Sequence, residues 1–186
     1  MREYTAKDIV EFYAQYERHI THVCVAQTRF RVFEKIPQQI TKIMEQVSQD
    51  VRHCLNVFSS SIYTGKSNKA RRNPLKFKPL SFVTIEGSSQ TTDREKTIHV
   101  NIALGNLPKN LSAIELEIHF RKAWVKKANQ ANDVFFDKAS EYPSNVISFL
   151  GYSLKEAQQT RHKAWSENSI WDVTNCWIPH AALSED

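Results

Sequence analysis

Apolar positions change period several times along this chain, and each change marks an element. Ile9, Val10, Phe12, Tyr13 and Tyr16 recur at helical spacing behind Thr5, a capping residue with Asp8 three positions on, which predicts a first helix. Residues 22–33 switch to a β-rich run carrying Val23, Val25, Thr28, Phe30 and Val32, which predicts a strand. Pro37 suits a helix start, and Ile36, Ile40, Ile43, Met44, Val47, Val51, Cys54, Leu55 and Phe58 then lie three or four apart, a stripe that reads as a core face. Residues 59–79, rich in Ser, Asn, Lys and Arg, read as a long loop, and loops of that length are usually functional or mobile. Leu80–Glu86 and residues 97–104 are two strands joined by a polar stretch, an expected antiparallel hairpin with a long tip. Ser112 with Glu115 forms a capping box for a third helix, whose expected buried line is Ile114, Ile118 and Val125 with Trp124 beside them. Residues 134–137 read as a short strand. Ser144 caps an expected long final helix with Val146, Ile147, Phe149, Leu150 and Leu154 on or near its apolar face. The tail from Trp165, with Trp171, Trp177 and Pro179, is expected to pack back irregularly.

After the opening helix the order is therefore β-α-β-β-α-β-α. This predicts an α+β chain: a ferredoxin-like βαββαβ antiparallel sheet with an added N-terminal helix and a C-terminal helix. The 186 residues fit a single domain, 1–186, with enough chain to bury a core. Such a fold hosts many unrelated activities, so function must come from the side chains.

Composition narrows the classes. Only four glycines are present, which leaves no Gly-rich phosphate loop. Apolar runs are a few residues long, far from the ~20 that a bilayer span needs, and Met1-Arg2-Glu3-Tyr4 leads into an amphipathic pattern and not a secretory core. A soluble intracellular protein, without a membrane partner, is the expectation. Cys24, Cys54 and Cys176 are far apart in apolar surroundings and read as buried reduced thiols. The net charge of +5 is mildly basic, but its distribution is uneven. Residues 66–78 carry Lys66, Lys69, Arg71, Arg72, Lys76 and Lys78 and no acid, which reads either as a solvated loop or as a phosphate-contacting one.

Three places could do chemistry. On the strand at 97–104, alternation puts His99 and Asn101 on one side, about 7 Å apart, and Ile98, Val100 and Ile102 on the other. Polar groups in the middle of a sheet are costly without partners, and an imidazole nitrogen and a carboxamide oxygen are both metal-ligand types; a hydrogen-bonded sheet histidine is the plainer reading of the pair alone. Glu86 ends the neighbouring strand and can reach the same face. A His, Asn and Glu shell suits Mg²⁺ or Mn²⁺ better than zinc; the alternative is an exposed strand-end carboxylate beside the Gly87 turn. On the last helix, Tyr152, Lys155 and Glu156 can share one edge. A tyrosine is a poor nucleophile until a cation or a metal-polarised target assists it.

The segment Val146-Ile-Ser-Phe-Leu-Gly-Tyr152-Ser-Leu-Lys155-Glu156 resembles the Tyr-x-x-Lys helix of HUH endonucleases of the rolling-circle replication initiator kind. Ile98-His99-Val100-Asn101 is similar to their His-hydrophobic-His strand, and Phe82-Val-Thr-Ile-Glu86 resembles the upstream strand that often supplies an acid. The motifs stand in the family's order over residues 22–163. Asn101 departs from the second histidine, where some families have Gln. Ser148 lies four residues before Tyr152, as in the one-tyrosine members. The resemblance implies metal-dependent nicking and joining of single-stranded DNA through a 5′-phosphotyrosine at Tyr152. Lys155 would orient the tyrosine or the phosphate, and His99, Asn101 and Glu86 would hold Mg²⁺ or Mn²⁺, with Glu156 an alternative ligand. Lys66, Lys69, Arg71, Arg72, Lys76 and Lys78 would grip the DNA backbone. The expected partners are single-stranded DNA or a hairpin at a replication origin, with a host helicase or replication proteins, on a plasmid or other mobile element. The rival is a non-catalytic DNA-binding module on the same fold. A ferredoxin-like RNA binder would need exposed aromatics on the central strands, which the polar face of the His99 strand lacks.

Overall fold

The computed structural model describes residues 4–32, 37–63, 72–87, 97–141, 145–155 and 171–179. Helix α1 (Ala6–Ala14) starts as its pattern predicts: Asp8 N donates to Thr5 Oγ1 at 3.2 Å, and Thr5 N donates back to Asp8 Oδ2 at 2.8 Å. Strand β1 (Ile20–Arg31) begins and ends two residues before the predicted run. Helix α2 (Pro37–Ile62) continues through the serines expected to open the loop. Those serines stay helical because their hydroxyls have carbonyl partners: Ser59 Oγ donates to Phe77 O and Ser61 Oγ to Phe58 O, each at 2.7 Å. The described end of the expected loop is not featureless either, since Pro74–Phe77 forms a helical turn capped by Asn73.

Strands β2 (Leu80–Glu86) and β3 (Thr97–Gly105) pair antiparallel as expected. With β1 and β4 (Val134–Lys138) they make a four-stranded antiparallel sheet in the order β2-β3-β1-β4. The chain is α+β. Helix α3 (Ala113–Arg121) has the predicted capping box and runs on into a π-helical stretch, Lys122–Lys127. Its buried line, however, is Leu116, Phe120, Ala123 and Trp124, whereas Ile114 and Ile118 are 70% and 59% exposed. The expectation fails at Ile114 and Ile118 and holds at Trp124, which is buried, and Val125, which is partly buried against the same core. Helix α4 (Asn145–Tyr152) is shorter than expected; Asn145 Oδ1 accepts from Ser148 N at 3.0 Å, and Ser144 lies outside the described residues. Val146, Phe149 and Leu150 of α4 and the following Leu154 are buried as predicted, but Ile147 is exposed.

The sheet is covered on both faces. Val83, Ile85, Val100 and Ile102 join Val51, Phe58, Phe120 and Trp124 in one core beneath α2 and α3. Val23, Phe82 and Ala103 join Ile9, Tyr13, Phe149 and Leu150 in a second core beneath α1 and α4. Every residue of β2 is buried, because residues 171–179 also cover its outer edge: Ser81 pairs with Trp177 and Thr84 with Trp171. Residues 171–179 therefore pack back on this edge as expected, through two isolated bridges and the turn Val173–Asn175, and blunt an edge that would otherwise invite pairing with another chain. Cys24 and Cys54 are buried free thiols as expected, whereas Cys176 is only partly buried, with Sγ accepting from Val83 N at 3.2 Å. No helix among the described residues is long and apolar enough to cross a membrane.

Candidate active site on the second face of the sheet

The β2–β3 register decides the site. Glu86 stands directly opposite His99, and Thr84 opposite Asn101, on the face shared with α1 and α4. Gly87 ends the strand with φ 95°, and a Cβ there would meet Thr97 O at 2.6 Å, so only glycine lets β2 leave β3 this closely behind Glu86.

Glu86 is fully buried, not the exposed strand-end acid of the plainer reading, and three groups converge on its Oε2. Lys155 Nζ donates at 2.8 Å, Asn101 Nδ2 donates at 3.0 Å, and His99 Nε2 lies at 3.3 Å. Asn101 Nδ2 also donates to Thr84 Oγ1 at 3.2 Å, a partner that strand alternation alone could have pointed out. Burial pushes the Glu86 carboxyl up, but the hydrogen bonds from His99 and Lys155 outweigh it and hold the group below the ordinary carboxylate value. Burial likewise opposes the charge on Lys155, and the Glu86 carboxylate outweighs that, holding the ammonium above its ordinary value. Both shifts describe one ion pair at a desolvated site.

Tyr152, the last residue of α4, is 51% exposed. The helix ends there, yet the turn that follows returns Lys155 to the tyrosine, with its Nζ 3.7 Å from the ring centroid. One ammonium thus bridges the tyrosine ring and the Glu86 cluster. The expected site residues His99, Asn101, Glu86, Tyr152 and Lys155 come together. Glu156 lies outside the described residues.

The donor set fits a hard divalent cation in chemistry. Asn101 Oδ1 is buried with no hydrogen-bond partner among the described residues. The amide points its nitrogen at Glu86 because its oxygen would be repelled there; a cation beside Glu86 reverses that preference and gives the oxygen a partner. His99 carries a proton on Nε2 when it donates to Glu86 and would present that nitrogen bare as a ligand. Among the described residues no group of three or more His, Cys, Asp or Glu side chains gathers, since the third donor here is an amide.

The basic segment divides. Lys66, Lys69 and Arg71 lie outside the described residues, while Arg72 and Lys76 are exposed. Lys78 is half-buried, its Nζ 4.2 Å from the centroid of the Trp177 ring. It lines a cavity with α2 residues and Ser81, which alternates onto the same side as Val83 and Ile85. This end of the segment therefore sits on the α2 side of the sheet, opposite the face of Glu86. No family model, curated protein or solved structure matches the chain.

Proposed function

We propose that the protein nicks and rejoins single-stranded DNA in the manner of an HUH endonuclease, with Tyr152 as nucleophile. The observation that carries this reading is the placing of Tyr152 against a buried Glu-His-Asn cluster by one lysine, Lys155. The four-stranded antiparallel sheet with helices before and after it is compatible with a ferredoxin-like βαββαβ unit and supports the reading further.

In this reading Tyr152 Oη attacks the scissile phosphorus in line. A tyrosyl–phosphorus bond forms as the phenol gives up its proton, the bond from phosphorus to the 3′-oxygen breaks, and the leaving oxygen takes up one proton to become a free 3′-hydroxyl, so no proton is gained or lost overall. The 5′ end stays on Tyr152, so attack by a 3′-hydroxyl restores the strand. Lys155 lies over the face of the phenol ring and supplies positive charge beside it. His99 Nε2, Asn101 Oδ1 and the Glu86 carboxylate would hold Mg²⁺ or Mn²⁺, with Glu156 an alternative to one of them. Such an ion, when bound, stabilises charge developing on the phosphate oxygens. Initiation of rolling-circle replication of a mobile element in the bacterial cytoplasm, with a host helicase, is the setting this chemistry fits.

The test is His99→Ala. Metal stabilisation of several kcal/mol corresponds to a loss of about a hundredfold or more in Mn²⁺-dependent cleavage, while circular dichroism should report an unchanged fold. Full-rate cleavage in excess EDTA would remove the metal from the reading.

A second reading has its own observation. Lys155 already neutralises Glu86, as in a site that needs no metal, which favours a binding module that never cuts. Both readings expect the basic segment to bind phosphates. Replacing Arg71 and Arg72 with Ala should weaken single-stranded DNA binding and flatten its salt dependence by roughly 0.7 in log–log slope for each phosphate left without its cation. An unchanged slope would make the segment a solvated linker. Only the enzyme also forms an adduct.

A further inference from the structure

A second site lies on the other side of the sheet. A cavity of about 620 Å³ opens between α2, the turn before β2 and the C-terminal segment. Its size is in the range of small-molecule sites and far exceeds a single phosphate. Two cations line it, Arg52 from α2 and Lys78 from the turn, and among the described residues no carboxylate does. Burial lowers the pKa of Lys78, so an anion at this place relieves a real cost. Several polar groups in the wall are already engaged: Ser59 Oγ with Phe77 O, Ser81 Oγ with Asn175 O, and Thr174 Oγ1 with Asp172. The side chains of Arg52, Asn56 and Ser60 have no hydrogen bond or ion pair among the described residues and remain open to a ligand. Leu55, Pro74 and Pro79 supply apolar wall, the Trp177 ring carries the Lys78 ammonium over one face, and the Trp177 indole N–H is buried without an acceptor among the described residues.

We infer that this cavity binds a 5′-phosphorylated nucleotide, with the phosphate between Arg52 and Lys78 and the base against the apolar wall. This goes beyond the nicking reading and does not rest on it, because none of its residues touches the Glu86 cluster. Two sources carry this chemistry, a free mononucleotide and the phosphorylated end of a strand.

Isothermal titration of the full chain distinguishes the cases. Deoxyadenosine 5′-monophosphate should bind saturably, and deoxyadenosine and inorganic phosphate should each bind at least about tenfold more weakly, as expected when charge-assisted bonds or base burial are removed. Lys78→Met and Arg52→Gln should each weaken the monophosphate by a similar factor, and Tyr152→Phe should leave it unchanged. The Trp177 indole resonance, assigned by its loss in Trp177→Phe, should move with the same saturation. A 5′-phosphorylated deoxyadenylate oligomer that binds more tightly than the monophosphate and competes with it identifies a strand end; equal or weaker binding identifies the free nucleotide. The inference is overturned if neither phosphorylated ligand binds, if phosphate or nucleoside alone binds as well as the monophosphate, or if the Lys78 and Arg52 variants bind it unchanged.

Discussion

In denaturing gels of the protein incubated with labelled single-stranded DNA and Mn²⁺, the wild type is expected to carry DNA covalently and Tyr152→Phe to carry none. The effect is all-or-none because the phenolic oxygen is the atom that bonds to phosphorus. The substitution is also mild. Tyr152 is half exposed at the end of α4, so losing its hydroxyl should change stability by no more than about 0.5 kcal/mol. Phenylalanine keeps a ring face for the Lys155 ammonium, which sits 3.7 Å from the centroid, so Lys155 should stay on Glu86. DNA affinity should therefore remain within about twofold, since the grip on the backbone comes mainly from cations. An adduct that persists in the Phe variant would point to another nucleophile and sink the assignment. No adduct from the wild type on a random-sequence pool, with Mg²⁺ or Mn²⁺, would favour the binding module.

The elements were legible where a local signal had no competitor. Thr5 with Asp8 and Ser112 with Glu115 are capping boxes in the sequence and in the structure. The alternation around His99 and Asn101 named the polar face of β3, and the antiparallel hairpin made Glu86 a neighbour. Helix α3 shows where such reading stops. Ile114 and Ile118 stand four apart, but so do Leu116, Phe120 and Trp124, and the two stripes lie on nearly opposite sides of the helix. Periodicity cannot choose between them. Packing does: Phe120 and Trp124 fill the space between α2 and the sheet, with Trp124 Nε1 donating to Gln27 O at 3.0 Å. The site was legible in membership and not in state. Spacing placed Tyr152 and Lys155 together, but the direction of the Asn101 amide and the seat of Lys155 on Glu86 depend on three-dimensional charge balance. The covering of β2 by residues 171–179 is non-local, and no periodic signal announced it.

Glu86→Gln tests that charge balance directly. Glutamine keeps the shape and an oxygen that can accept from Lys155 and Asn101, so the substitution removes charge and little else. Breaking a buried ion pair costs about 3–5 kcal/mol, and because Lys155 stays partly open to water the expected loss at neutral pH is about 2–3 kcal/mol. The pH dependence fixes the cause. The folded-state pKa of Glu86 lies below its ordinary 4.5, so its contribution is present above that value and drains away as pH falls through the depressed one. Lys155 is raised above its ordinary 10.5, so its contribution is present below that value and is lost as pH rises through the raised one. Wild-type stability, measured by urea unfolding, should therefore stand highest between these limits. The gap between wild type and Glu86→Gln should close at both extremes, with the acid limb of the wild type flattened in the variant. Equal stability of the two at neutral pH, or an acid limb that survives in the variant, would mean that other carboxylates govern the acid response and that Glu86 is not the hub of the cluster. A gap that closes only at the alkaline end would assign the effect to Lys155 alone, whose remaining partner would then be the Tyr152 ring.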